Sequence, residues 1–316
     1  MSHRVPATEE RIWAVLAHLS ALAFGMGILL PVVGWSDQRR KSNYASFHSL
    51  QALGYQSLGY TFWVLLTLLV IIIMLFGMVF AFGNGETHAG NIDSVAGIWM
   101  IAIFIALFVF IGLYMILPVA AAVACAFGRE FHYPILGRRL ANYLNYVPGN
   151  GNWLNQDHED RWVTGMGHIS VIIMPWGMLA PLTAWILQGK RSRFLEFQSI
   201  QTLLFQSGTL ILYFGAALVY MVGFIALIAT TGLAVNSGVD SSGGMFAFVI
   251  FIVASLFAFV IIMIIPFLHI LGQWAGYRVL KGDDYLYPLL GRIVQQRMDG
   301  NPIMDGKRQH ENPSGS

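Results

Sequence analysis

The sequence predicts an all-α, polytopic helical membrane protein made of two parallel pseudo-repeats, each a short re-entrant helical hairpin followed by two long transmembrane helices. Three observations carry this prediction. The 316 residues are 56% hydrophobic and only 11% charged, with a mean hydropathy of +0.63, whereas soluble domains carry about 25% charged residues. The chain is written twice. Its Lys and Arg gather at one end of the uncharged runs, as the positive-inside rule requires of a membrane protein with a defined orientation.

The duplication orders everything else. Arg11, His18, Ser20, Pro31, Trp35, Gln38, Phe47, Gln51, Gln56 and Ser57 recur 150 positions later as Arg161, His168, Ser170, Pro181, Trp185, Gln188, Phe197, Gln201, Gln206 and Ser207. Farther on the offset becomes 154, where "GREFHYPILGR" (128–138) aligns with "GDDYLYPLLGR" (282–292). The expected organisation is a first membrane repeat over 1–140, an Asn- and Gly-rich linker over 141–158, a second repeat over 159–298 and a polar tail of disordered composition over 299–316. Ala21-Leu22-Ala23 resembles a signal-peptide cleavage site, but Glu9 and Glu10 precede it and the same segment recurs in mid-chain, so it reads as structure.

Each repeat holds three uncharged runs: 12–36, 42–85 and 94–128, then 162–189, 197–239 and 241–277. A spanning helix needs about 20 residues, and the middle runs are about twice that. Residues 44–59 place His48, Gln51 and Tyr55 at i, i+3 and i+7, one helix face, and read as a polar-faced segment at the membrane interface. The apolar "YTFWVLLTLLVIIIMLFGMVFAF" then spans. Loops 83–93 and 232–244 carry no Lys or Arg and are expected outside; "QRRK" (38–41), "GKRSR" (189–193), Arg129, Arg138, Arg139 and the C-terminal region are expected inside.

Three spans per repeat would invert the second copy and expose "GKRSR". The first run is therefore expected to enter, break at Gly25-Met26-Gly27 and return through Pro31, with Pro175 and Gly177 marking the break in the second copy. Such backbone is tolerated at membrane depth only when packed against protein. The alternative is a kinked span in an inverted-repeat protein. Trp13, Trp35, Trp162 and Trp185 flank the hairpins and read as markers of interface depth. Small residues in the spans (Gly112, Ala120, Ala121, Ala216, Ala217) are expected to join the copies.

Chemistry is sparse. A net charge of +2 and the lack of a basic-aromatic tract exclude a nucleic-acid partner, and the single Cys125 excludes an intrachain disulfide framework. No nucleophile–base–acid set and no phosphate loop occurs at a meaningful spacing. Four histidines lie in or near apolar runs, and intramembrane ionisable groups are functional candidates. His48 is replaced by Gln198 in the second copy, and His269 matches an apolar position in the first. His18 and His168 are kept, each with a serine two residues on, Ser20 and Ser170, and no Cys or carboxylate stands at ligand spacing along the chain. These residues are expected to be structural, hydrogen-bonding the broken hairpin backbone. Gln51, Gln56, Gln201 and Gln206 are expected to bond between helices. No catalytic residue, cofactor or metal is assigned.

"ERIWAVLAHLSAL", "LPVVGW", "SFHSLQALGYQ" and "YPILGR" resemble a widespread bacterial membrane domain related to the channel subunit of the chloroplast inner-envelope translocon; some magnetosome membrane proteins are similar to it too. The first copy carries both signatures, His18-Leu19-Ser20 and Phe47-His48; the second departs from them with His168-Ile169-Ser170 and Phe197-Gln198. The resemblance implies a compact four-helix unit with a short helical pair and no catalysis. The expected function is a non-enzymatic scaffold or accessory subunit in the bacterial cytoplasmic (inner) membrane, both termini cytoplasmic, packing against other integral membrane proteins and lipid. The alternatives are a translocon-like channel or small-solute carrier, and a haem- or metal-binding redox protein.

Overall fold

A computed structural model of the chain describes residues 5–83, 89–149, 153–237 and 242–299. The described residues form helices and turns without a strand, which lets a lipid-embedded chain satisfy its backbone internally. The expected outward loops and the linker fall partly on 84–88, 238–241 and 150–152, and the polar tail almost wholly on 300–316, outside the described residues.

The first half begins with α1 (Thr8–Leu19), a tight 3-10 stretch (Ser20–Ile28) and α2 (Leu29–Gln38). The long α3 (Asn43–Gly83) and α4 (Ala89–Ala126) follow, then the short α5 (Leu136–Leu144). The second half runs through α6 (Gln156–Ile169), two 3-10 turns, α7 (Leu179–Gln188), α8 (Arg193–Ser237), α9 (Ser242–Leu280) and α10 (Leu290–Asp299). Matching serines cap the first long helix of each half: Ser42 Oγ accepts from the Ala45 N–H at 3.1 Å, and Ser192 Oγ from the Leu195 N–H at 3.2 Å.

By length and composition Thr8–Gln38 is one of five helical stretches among the described residues able to cross a membrane. It does not run straight. Phe24, at φ 50° and ψ −139°, breaks it, leaving helices of 12 and 10 residues. Those reach about 18 and 15 Å, against a hydrocarbon core of about 30 Å. Positions 20 and 27 would stand about 10 Å apart in a straight helix. Instead, a Cβ on Gly27 would lie 1.8 Å from the Ser20 carbonyl oxygen, and one on Gly177 would lie 1.9 Å from that of Ser170. Gly34 returns against Trp13, and Gly167 lies against Pro181. Each half therefore opens with a helical hairpin. Pro31 and Pro181 sit in the first turn of the returning helix, where a missing N–H leaves no bond unmade.

The polar stretch 44–59 does not present its polar face to its surroundings. It belongs to an unbroken α3 and is enclosed by protein: His48, Ser49, Gln51, Gln56 and Ser57 are buried, as are Gln198, Ser199, Gln201, Thr202 and Gln206 in α8. The hairpin and the segment after α4 wrap this part of the helix and supply hydrogen-bond partners to His48, Gln51 and Gln56. Beyond it, Leu65, Leu68, Leu69, Ile72 and Phe76 are exposed. The molecule thus divides into a packed head and projecting apolar helices. No Lys or Arg occurs over 42–128 or 194–277, so the positive charge belongs to the head end.

The halves join through the head. Trp162 Nε1 donates to the Leu50 carbonyl at 2.9 Å, with its ring over Gly54. Gln188 Nε2 donates to the Ser36 carbonyl at 3.1 Å. Arg39 lies 3.1 Å from Glu159 and 2.7 Å from Asp160, and the buried Trp35 donates to Glu159 at 3.2 Å. Two expectations are corrected here. Trp35 and Trp162 are inter-half contacts and not depth markers, because each indole N–H finds a buried acceptor across the join. The small residues of the spans do not make the join either: Gly112 faces open space, Ala120 and Ala217 are exposed, and the buried Ala121 and Ala216 lie on α4 and α8, which pack on elements of their own half. Close approach by glycine operates across the join at Gly54 and Gly25, which lie against Trp162 and Trp176, and within the second half at Gly276 against the Gly165 carbonyl and Gly223 against Ala254.

Candidate functional site

In each half a histidine at the end of the first hairpin helix points into the head and is fully buried. The turn beneath it is tied the same way in both. Ser20 Oγ donates to the Ala17 carbonyl at 2.7 Å, and Gln56 Nε2 donates to Ser20 Oγ at 2.9 Å. Ser170 Oγ donates to the Gly167 carbonyl at 2.6 Å, and Gln206 Nε2 to the same carbonyl at 2.8 Å. Gln56 and Gln206 thus brace the hairpins.

A second pair of glutamines holds the opposite wall. Gln51 Nε2 donates to the Phe131 carbonyl at 3.0 Å, and its Oε1 accepts from the Tyr133 N–H at 3.1 Å. Gln201 does the same, with the Tyr285 carbonyl at 2.7 Å and the Tyr287 N–H at 3.3 Å. Just beyond, Ile135 and Leu289 adopt positive φ of 64° and 67°. Each closes a one-residue turn, marked by Leu136 N–H to Pro134 and Leu290 N–H to Pro288. These turns lead into α5 and α10 and leave Tyr133 and Tyr287 over the histidines, at 2.9 Å from His18 Nδ1 and 3.0 Å from His168 Nδ1.

The remaining ring nitrogens differ. His168 Nε2 meets the Gln198 amide oxygen at 3.0 Å, and Thr202 Oγ1 lies 2.9 Å from its Nδ1. His18 Nε2 instead meets His48 Nδ1 at 3.1 Å, which also lies 3.5 Å from Cys125 Sγ. The far nitrogen of His48 faces Glu130 at 3.6 Å, and Glu130 accepts from the Tyr146 hydroxyl at 2.8 Å. Burial pushes the Glu130 carboxyl up, but the facing His48 and the Tyr146 hydroxyl more than offset this and hold it below the usual carboxylate range. The ligand atoms of His18, His48 and Cys125 all lie within 4.8 Å of one another.

The sequence placed His48, Gln51 and Tyr55 on one face, and the structure aims all three at the segment after α4, with Tyr55 stacked 4.1 Å from Tyr133. No Cys or carboxylate stands at ligand spacing along the chain, yet the fold brings one of each to the His18–His48 pair. Cys125 and Glu130 are separated from His18 by more than a hundred positions, and only the packing of α4 on α1 and α3 closes that distance. Tyr133 and Tyr287 were also missed, although the repeated "YPILGR" and "YPLLGR" contain them. His269 stands apart, 3.3 Å from the Tyr213 hydroxyl.

No curated protein and no solved structure matches the chain. The link to the translocon channel subunit finds no support in these comparisons. The magnetosome magnetite crystal formation family model matches twice, over residues 9–140 and 159–294, close to the boundaries of the two halves. A chain matched over nearly all of both halves belongs to that family, MamF/MmsF, whose proteins are membrane proteins of the magnetosome.

Proposed function

We propose that the protein is a non-enzymatic accessory subunit of a magnetosome membrane, and that it contributes to magnetite crystal formation by packing its projecting helices against other membrane proteins. The observation that carries this reading is the difference between its two helix pairs. α8 and α9 lie along each other, with Gly223 against Ala254 and Phe251 between Tyr220 and Phe224. α3 and α4 touch near the head, through Tyr55 and Gly59 on Tyr114 and Phe62 on Phe110. Farther out, no residue of their most apolar described stretches is fully buried. Between them opens an apolar crevice of about 160 Å³ lined by Phe24, Tyr60, Trp63 and Phe110 among others. In lipid, packing and not hydrophobicity drives helix association, so an unfilled crevice with exposed Phe104 and Phe108 above it favours a helix of another protein over lipid.

The charge distribution supports a cytoplasmic head with both halves inserted in parallel, because the basic turns after α2 and α7 lie side by side, joined by Gln188 and Ser36. The exposed hairpin residues Leu22, Phe24 and Met26 support a tip that dips into the membrane.

Co-purification in mild detergent tests the proposal. Phe104→Ala with Phe108→Ala should reduce the recovered partner several-fold while the protein stays monodisperse. Unchanged recovery, or reproducible solute flux through liposomes holding the purified protein alone, would overturn it in favour of a channel or carrier.

A further inference from the structure

The second half shows how this fold satisfies a buried histidine without further chemistry: an amide, Gln198, faces His168, and Val279 stands where the first half has Cys125. The first half replaces both groups with metal-binding side chains and turns their donor atoms inward. We propose that His18 Nε2, His48 Nδ1 and the Cys125 sulfur form a buried binding site for a divalent cation of the zinc class, present in the first half alone.

Geometry supports this. Tetrahedral zinc takes nitrogen at about 2.0–2.1 Å and sulfur at about 2.3 Å, which places neighbouring ligands about 3.3 Å (N–N) and about 3.6 Å (N–S) apart. The observed separations are 3.1 Å between the two nitrogens and 3.5 Å between His48 Nδ1 and the sulfur. The His18-to-sulfur distance, within 4.8 Å, needs only a small side-chain movement. All three residues are fully buried, so their positions are set by packing.

The outward nitrogens both face an oxygen, as the outer nitrogens of metal-bound imidazoles do elsewhere. His18 Nδ1 has the Tyr133 hydroxyl at 2.9 Å; His48 Nε2 only faces the Glu130 carboxylate, itself anchored by Tyr146, at 3.6 Å, and a slight closure of that gap would complete the second support. Without a cation the cluster is poorly matched. His48 Nδ1 is one acceptor facing two donors, the His18 N–H and the Cys125 S–H, when its own proton lies on the Glu130 side.

Charge selects the cation. Binding expels the Cys125 proton, M²⁺ + HS–Cys giving M²⁺–⁻S–Cys + H⁺. The resulting thiolate and the Glu130 carboxylate together balance two positive charges in a buried site. One thiolate with two imidazoles suits zinc-class ions over the oxygen-seeking magnesium and calcium.

The test uses untagged full-length protein in mild detergent, stripped with a chelator and titrated with Co²⁺ as a spectroscopic probe. Wild type should bind about one equivalent, show a sulfur-to-cobalt charge-transfer band, and lose that band when Zn²⁺ is added. His48→Gln installs the group that the second half already accommodates, so it should fold; it and Cys125→Ser should each abolish the band, whereas His168→Gln should keep it. Circular dichroism and size exclusion report whether each variant is folded. A wild-type protein without the band at one equivalent, or a band that survives His48→Gln, overturns the proposal. The wild-type titration decides even if a variant fails to fold.

Discussion

His18 and His168 occupy the same place in two copies of one design, and their surroundings diverge at a few positions. Both are capped by a tyrosine from the segment after the second long helix, both sit above a Ser–Gln-braced turn, and both are fully buried. Around His168 the remaining space is filled by Gln198 and Thr202, so the ring is bonded on every side by neutral groups. Around His18 it is filled by His48, with Cys125 and Glu130 behind. A buried polar atom must be paired wherever it lies. The fold therefore constrains the bracing groups in both halves and leaves the inner face of the histidine free to change. The difference teaches which residues hold the hairpin and which are additional to it.

If the hairpins are the shared scaffold, breaking either turn should be the most damaging change. Gly27→Ala and Gly177→Ala each drive a Cβ into a backbone oxygen less than 2 Å away, and neither oxygen can retreat without opening its turn. Each should cost about 3 kcal/mol or more, read as lost monodisperse protein or a large fall in the melting temperature. A mild effect in one half alone would show that its turn is not the same device.

The next test separates the histidines. His18→Leu and His168→Leu strand the Tyr133 and Tyr287 hydroxyls respectively. Each should destabilise by about 1–3 kcal/mol, measured by thermal or denaturant unfolding in detergent. His168→Gln should recover most of that loss, because an amide can bond both Tyr287 and Gln198. Full stability in His168→Leu would mean that Thr202 and Gln198 pair with each other and that the ring is not a structural link.

The smallest effect concerns the join between halves. Burial pushes the Glu159 carboxyl up to about 7, against the pull of Arg39 and Trp35. Its folded-state value exceeds its unfolded one, so the folded form holds the extra proton between about 4.5 and 7. Its contribution to stability is complete below that window and is lost as pH rises through 7. Melting temperature should thus fall by about 2–4 °C between pH 6 and pH 8, and Glu159→Gln, which still accepts from Trp35, should flatten the dependence. A melting temperature that rises over that range would show an ionised Glu159 stabilised by Arg39 outright.

Much of this architecture was legible in one dimension. Hydropathy marks the long helices because lipid sets the same requirement at every residue of a span, and the duplication is visible because equal structural positions kept equal residues, from His18 and His168 to Gln56 and Gln206. The hairpin followed from Lys and Arg placement together with the Gly25–Gly27 and Pro175–Gly177 breaks. Tertiary structure alone decided the rest. It enclosed the polar half of α3 in protein, moved Trp35 and Trp162 from the interface into the join, and carried Cys125 and Glu130 to His48. Those outcomes depend on which helix faces pack together. Spacing along the chain records the neighbours of a residue on its own helix, at i+3 and i+4, and holds no record of a partner brought from another helix by the fold.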